Sequence, residues 1–329
     1  LYMQYMYVPS PYSIFKDVYK LDPGCILEID DSGKVQPPEQ ITSSVFNAKG
    51  ISIKQWYSLS EIAKNSQNNL IEDENEAIEL LEKTLLESVQ SQLISDVPLG
   101  AFLSGGVDSS MIVALMSKAC NHPVKTFTIG FEESGFNEAI YAKEVAKYLD
   151  TDHHELYVTS RDAFEVIPSL PSLYDEPFAD SSQIPTHLVS KLARQNVTVS
   201  LSGDAGDELF GGYNRYLWGN RVWNKLKWMP PITRQALGLI MQKLPTSTWD
   251  AANYLLPDKY RVASMGDKVH RMAYRLKTVR NLDDVYRSLV TEGYQEDNIV
   301  NNVKISLKTK ISTNDIVGKF PDSEHRMML

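Results

Sequence analysis

Residues 103–110, Leu103-Ser104-Gly105-Gly106-Val107-Asp108-Ser109-Ser110, end an apolar run with two glycines and then open a helical one. Glycine lets a backbone come close to a ligand, serine adds hydroxyl donors, and the free N–H groups of the following helix point at whatever negative group lies in the turn. A pyrophosphate suits such a turn. The loop is not of the Walker type, because no lysine follows its glycines where that motif places one. Asp108 stands where a phosphate would lie. Carboxylate and phosphate repel unless a hard cation lies between them, so Asp108 reads as a Mg²⁺ ligand. A second stretch, Ser202-Gly203-Asp204-Ala205-Gly206-Asp207-Glu208, repeats the logic with more acid, and Phe210-Gly211-Gly212-Tyr213 follow it. A small-residue packing turn explains the first stretch alone, and a solvated acidic turn the second. Two such loops at neighbouring strand ends of one sheet can share one metal and one triphosphate.

The elements that must position these loops are legible around them. Gly100 to Leu103 reads as a short apolar strand and Ser109 to Ala119 as a helix. Val124 to Phe131 reads as a strand, Glu138 to Leu149 as a helix, and His154 to Val158 as a strand. Helical text resumes over Ser181 to Gln195, and the β-branched run Val197 to Leu201 leads into the second loop. Alternation of this kind predicts an α/β fold with a parallel sheet and flanking helices, whose ligands bind beyond the carboxyl ends of the strands. Upstream, Ile78, Leu81, Leu85, Val89 and Leu93 recur at helical spacing, which predicts a helix over 72–94 packed on the main domain. The Asn-rich text of the 60s predicts a solvated connection. Residues 1–53 are rich in Pro and Gly turns with short runs such as Cys25 to Ile29, which predicts a small β element. Beyond Gly212 the text turns helical. Trp218, Trp223 and Trp228, spaced by five, read as separate packing anchors rather than a ligand cage. His153 and His154 are adjacent on a strand and point to opposite faces, so they read as satisfied or exposed side chains and not as a metal pair. Tyr213 and Arg215 could touch phosphate or serve packing.

Composition narrows the function classes. A chain of 329 residues that is 43% apolar can bury a large core. A net charge of -9 without any basic run argues against nucleic acid as the partner. No apolar run is long enough to span a bilayer, so no membrane partner is expected. Cys25 and Cys120 are the only cysteines, which fits reduced, cytoplasmic usage.

The first run resembles the pyrophosphate loop of ATP pyrophosphatases. Paired with Ser202 to Tyr213, it is similar to the synthetase domain of glutamine-hydrolysing asparagine synthetases. Phe127 to Phe131, Phe136 to Leu149 and Asp175 to Thr186 extend the resemblance, which is good over Leu1 to Tyr216 and weak beyond. It implies the adenine nucleotide alpha hydrolase-like fold. It also implies adenylation of an aspartate side chain by ATP, release of pyrophosphate, and attack of ammonia derived from glutamine to give an amide. By the family pattern Ser104, Gly105, Gly106, Ser109 and Ser110 cradle pyrophosphate, and Asp108 with Asp207 holds Mg²⁺. Leu103 and Ile129 meet the base, with Ser202 and Gly203 nearby. Asp204 takes the place of a catalytic glutamate, one methylene shorter. Ala205 replaces a glycine often seen there, a mild change if its backbone angles stay in the ordinary region.

The same resemblance divides the chain into residues 1–58, the tail of a glutaminase domain with its linker, and residues 59–329, the synthetase domain. Leucine at position 1, and no sign of the family's later catalytic lysine, give the expectation of a sequence truncated at both ends. No glutaminase activity is expected, since neither cysteine can act as an N-terminal nucleophile. A homodimer is allowed. Related ligases on the same framework, forming a β-lactam or amidating a sugar acid, and an inactive nucleotide-binding remnant are the other readings.

Overall fold

The computed structural model describes residues 1–30, 46–48, 50–66, 69–131, 137–257, 261–281, 284–285 and 288–289. The chain divides into two compact units. One is formed by Leu1–Gln67 with Gly211–Leu329, the other by Asn68–Phe210.

In the first unit a single turn α1 (Tyr2–Tyr5) precedes strands β1 (Cys25–Ile29), β2 (Phe46–Ala48) and β3 (Ile51–Gln55). These form an antiparallel sheet in the order β1-β3-β2, with Cys25 opposite Gln55 and Phe46 opposite Ile53. Gly24, at φ +72°, turns the chain into β1, and its carbonyl accepts from the N–H groups of Trp56 and Tyr57 at 2.9 and 3.2 Å. The expected β element is therefore present. The expected solvated connection is shorter than the text suggests: Leu59–Ser66 form helix α2, and the exposed, non-helical Asn69 to Asp73 lead to the next helix. Glu61, Asn65 and Ser66 occupy exposed positions of this helix, which apolar counting alone reads as a loop.

The second unit opens with α3 (Glu74–Gln92), whose N-terminus is capped by the Asp73 carboxylate accepting from Glu76 N–H at 2.9 Å. Only its C-terminal half packs as the periodicity predicts. Leu85, Leu86, Val89 and Leu93 join the core, whereas Ile78 is 56% exposed. There follow β4 (Leu99–Phe102), α4 (Val107–Ala119), β5 (Lys125–Phe131), α5 (Ala139–Tyr148) and β6 (Asp152–Val158). Next come α6 (Ser160–Val166), a 3₁₀ turn (Ile167–Ser169), α7 (Leu170–Leu173), α8 (Gln183–Ala193), β7 (Val199–Leu201) and the short α9 (Gly206–Phe210). The four strands are parallel in the order β6-β5-β4-β7, as the alternation predicts. Side chains leave the sheet alternately. Ala101 and Leu103 meet Val113, Met116 and Ala142 on one face, while Phe127 meets Ala193 and Val197 on the other.

Helices α10 (Asn214–Leu226), α11 (Pro231–Lys243), α12 (Thr246–Tyr254) and α13 (Met265–Thr278) return to the first unit. Gly238 lets α11 approach α13 closely, since a Cβ there would lie 2.5 Å from the Ala273 carbonyl oxygen. The tryptophans behave unequally. Trp223 packs under the buried Arg234 guanidinium, 5.9 Å from its ring centre, but Trp228 is 73% exposed and anchors nothing. The side chain of Trp218 lies outside the described residues.

The histidine pair is only partly satisfied, against expectation: His153 Nε2 and His154 Nε2 are both buried without a hydrogen-bond partner. His153 Nδ1 and the buried Thr126 hydroxyl are hydrogen-bonded at 2.8 Å, and His154 stacks on Phe127 with ring centres 5.3 Å apart. Burial pushes the His153 imidazole below its ordinary value; His154 and Lys143 act in the same sense, against Glu155. The unfolded chain therefore takes up this proton first as the pH falls. The contribution of His153 to stability is full above the ordinary imidazole value of 6.5 and is lost as pH drops through it toward the lower folded value. Thermal melts between about pH 7.5 and 5.5 should show a falling midpoint, less steep in His153→Gln. Identical slopes in the two proteins would remove the assignment.

Candidate active site

The first loop continues strand pairing by one residue, since Leu103 N–H donates to Phe127 O at 2.9 Å. It then closes on itself. Ser104 N–H donates to Ser109 Oγ at 3.2 Å, the Ser104 and Ser109 hydroxyls are 2.9 Å apart, and Gly106 N–H donates to Ser104 Oγ at 3.3 Å. Ser109 Oγ donates in turn to Gly106 O at 3.3 Å, so the hydroxyl protons run in one direction round the turn. Gly106 is the N-cap of α4 and offers no side-chain oxygen to the first-turn N–H groups. The Ser110 hydroxyl is buried without a partner. Gly105 adopts φ +81°, and a Cβ there would lie 2.6 Å from Ala142 N and 2.7 Å from the Tyr141 carbonyl carbon. Any other residue would strike α5.

The second loop is built differently. Ser202 Oγ donates to Asp204 Oδ2 at 2.9 Å, and Gly206 N–H donates to Gly203 O at 3.2 Å as α9 begins. Asp204 is exposed and Asp207 half-buried. Ala205 does not stay in the ordinary backbone region: its φ is +72°. The replacement of glycine there is therefore strained and not mild, because an L-residue in the left-handed region brings its Cβ against its own backbone, at a cost of about 1–2 kcal/mol.

The two loops interlock. Strands β4 and β7 are parallel neighbours, Leu99 opposite Val199 and Ala101 opposite Leu201, so both loops leave the same edge of the sheet side by side. A Cβ on Gly203 would lie 2.6 Å from Ser109 N and 2.8 Å from the Asp108 carbonyl carbon; one on Gly206 would lie 2.5 Å from Asp108 Cγ and 2.7 Å from Oδ1. The Asp108 carboxylate thus rests against the residue that precedes Asp207. Gly206 is the member of this site that motif reading does not assign, although the alternation of Gly203 and Gly206 with acids was its signal.

A fit test for Mg²⁺ follows from this geometry. Among the described residues no group of three or more His, Cys, Asp or Glu side chains could hold a metal ion. The Asp108 carboxylate lies beside Gly206, the residue before Asp207, and carboxylate oxygens are donors of the kind a hard cation takes.

Leu103 and Ile129 are placed less directly. Leu103 as a whole is 1% exposed and belongs to the core, so neither its side chain nor its main chain is open to a ligand here. Ile129 lies on β5 opposite Leu156 and packs, half-buried, on the cluster of Val158, Val166 and Leu188. Tyr213 is the N-cap of α10, and the Arg215 side chain lies outside the described residues.

The family model described as asparagine synthase matches residues 80–321. This chain belongs to the asparagine synthase family. It is 36% identical over 267 residues to a Methanocaldococcus jannaschii protein provisionally named glutamine-hydrolysing asparagine synthetase 2, a match covering 80% of this chain and 47% of the relative. It is 34% identical over 216 residues to glutamine-hydrolysing asparagine synthetase 1 of Bacillus subtilis, covering 65% and 30%. Against glutamine-hydrolysing asparagine synthetase B of Escherichia coli the identity is 33% over 178 residues, covering 49% and 30%. The chain spans less than half the length of these curated relatives.

Family membership and loop geometry together separate three substitutions. Ala205→Gly relieves the left-handed strain and is expected to stabilise the protein by about 1 kcal/mol. Gly203→Ala drives a methyl group into the α4 backbone and should destabilise by about 2 kcal/mol. Gly206→Ala meets a side chain that can move, so it should cost less stability while displacing Asp108. Denaturant unfolding of the three variants checks the order; a destabilised Ala205→Gly would refute the strain.

Proposed function

We propose that the chain carries the adenylating half of an asparagine synthetase. ATP activates a carboxylate, for which aspartate is the leading substrate, pyrophosphate leaves, and ammonia derived from glutamine forms the amide. The observation that carries this reading is the contact between Asp108 and the second loop: one acidic residue joins an anion-binding turn to a loop bearing three further acids.

In-line attack by the substrate carboxylate on the α-phosphate needs the β,γ-leaving group held in place, a task for positioned donors rather than a protein nucleophile. The N–H groups at the start of α4 and the hydroxyls of Ser104, Ser109 and Ser110 supply those donors, and Gly105 and Gly106 let the phosphates approach the backbone. Asp108 and Asp207 would hold Mg²⁺, which when bound neutralises charge on the leaving pyrophosphate. The base lies toward Leu103 and Ile129, with Ser202 and Gly203 nearby. Asp204 acts on the incoming ammonia or the acyl-adenylate. Its hydrogen bond from Ser202 orients the carboxylate and offsets part of the freedom of an exposed side chain.

Around this centre, residues 1–58 are read as the tail of a glutaminase domain with its linker, for which the antiparallel sheet β1-β3-β2 is suitable material, and residues 59–329 as the synthetase domain. The two free cysteines fit a cytoplasmic enzyme. A homodimer is compatible with the reading.

Incubation with Mg-ATP, ammonia and aspartate, followed for pyrophosphate, AMP and asparagine, tests the proposal. Release that depends on aspartate and yields asparagine supports it; release that depends only on another carboxylic acid moves the chain to the related ligases, and binding of ATP without turnover to a remnant. Asp108→Asn and Asp207→Asn should each lower the rate about 100-fold or more.

A further inference from the structure

The phosphate loop is backed by a helix that is itself gripped from the sheet. Gly105 lies against the Tyr141–Ala142 peptide, backbone against backbone, so the position of that peptide dictates where Gly105 can be. Two residues of the edge strand β6 hold α5 on either side of this point. On the N-terminal side the Tyr157 ring and Ala139, the first residue of α5, both lie over Gly130: a Cβ there would lie 2.7 Å from the ring and 3.0 Å from Ala139 Cβ. On the C-terminal side the Lys143 ammonium lies 3.1 Å from Glu155 Oε1. The two grips are tied together, because the Tyr157 hydroxyl donates to Glu155 Oε2 at 3.0 Å. Burial raises the Glu155 carboxyl, but the hydrogen bonds from Lys143 and Tyr157 outweigh it and leave the group below its ordinary value.

We propose that Tyr157 and Glu155 are positioning residues for the phosphate loop, acting through the first turn of α5 on Gly105. Neither touches the loop. Ala139 and Ala142 are fully buried, so the turn between the grips has no slack on its sheet side. Loosening either grip lets the Tyr141–Ala142 peptide move outward, and Gly105, packed against it at φ +81°, moves with it. For ATP the inference rests on the proposed function; for loop order it does not.

The test therefore has two readouts on the full chain. Hydrogen exchange without ligand reports the amides of residues 104–110, and ATP affinity is measured in parallel by calorimetry. Tyr157→Ala and Glu155→Gln should each raise exchange in the loop by about tenfold, with core strand amides such as Phe127 unchanged, and weaken ATP by a similar factor. Tyr157→Phe, which keeps the wedge and loses only the hydroxyl, should do less than Tyr157→Ala. Unchanged loop exchange in both variants, or a rise shared equally by the core strands, overturns the proposal. If the wild-type chain binds no ATP, the proposed function fails, and the exchange experiment still decides this inference by itself.

Discussion

The approach of one backbone to another at Gly203 and Ser109 is the constraint on which the active-site half of the molecule turns. Two loops from parallel neighbouring strands can share a ligand only if nothing fills the space between them, and at 2.6 Å from Ser109 N there is no space for a Cβ. Glycine is required here by contact and not by φ. Its absence of a side chain lets the acidic loop lie against the N-terminal turn of α4, and Gly206 then admits the Asp108 carboxylate beside Asp207. The parallel register of β4 and β7 is what delivers both loops to the same edge. The cores on the two sheet faces keep that register, since a slip by one residue would exchange Ala101 and Phe102 between faces of unequal depth.

Much of this was open to reading from the sequence, because the signals were local. The strands around Ala101 and Phe127 are largely apolar runs bounded by turns, and strands buried on both faces need little else. Helix α6 shows the opposite case. It is announced by the Thr159–Asp162 capping box, in which Asp162 accepts from Thr159 N–H at 2.8 Å, and not by a run of apolar residues. Periodicity therefore passes over it. Helix α2 escapes for the related reason that its sequence is mostly polar. In α3 the periodicity is real along the whole helix, yet burial stops near Leu85, because a pattern describes a face and cannot say how far the neighbouring surface extends.

The site divides along the same line. Residues that act by type, such as the serines of the first loop and the aspartates of both, are visible in the text. What Gly206 does is not visible, since its partner Asp108 is 98 residues away and only the fold brings them together. Ala205 is a further instance. Side-chain size suggests an easy replacement for glycine, whereas the decisive quantity is a backbone angle that no spacing rule reports.

Strain at Ala205 and the short reach of Asp204 belong to one loop and are best considered together. A left-handed residue immediately after Asp204 turns the chain back on itself, so that Gly206 N–H can reach Gly203 O and α9 can start within two residues. That reversal points the Asp204 side chain back toward Ser202, where it accepts a hydrogen bond at 2.9 Å. A longer carboxylate would bypass the Ser202 hydroxyl or fold to meet it, with one more rotatable bond to order. The aspartate therefore exchanges reach for fixity. Strained, over-determined backbone of this kind is tolerated where surrounding contacts enforce it, and here the enforcing contacts are the glycine approaches on either side of Ala205.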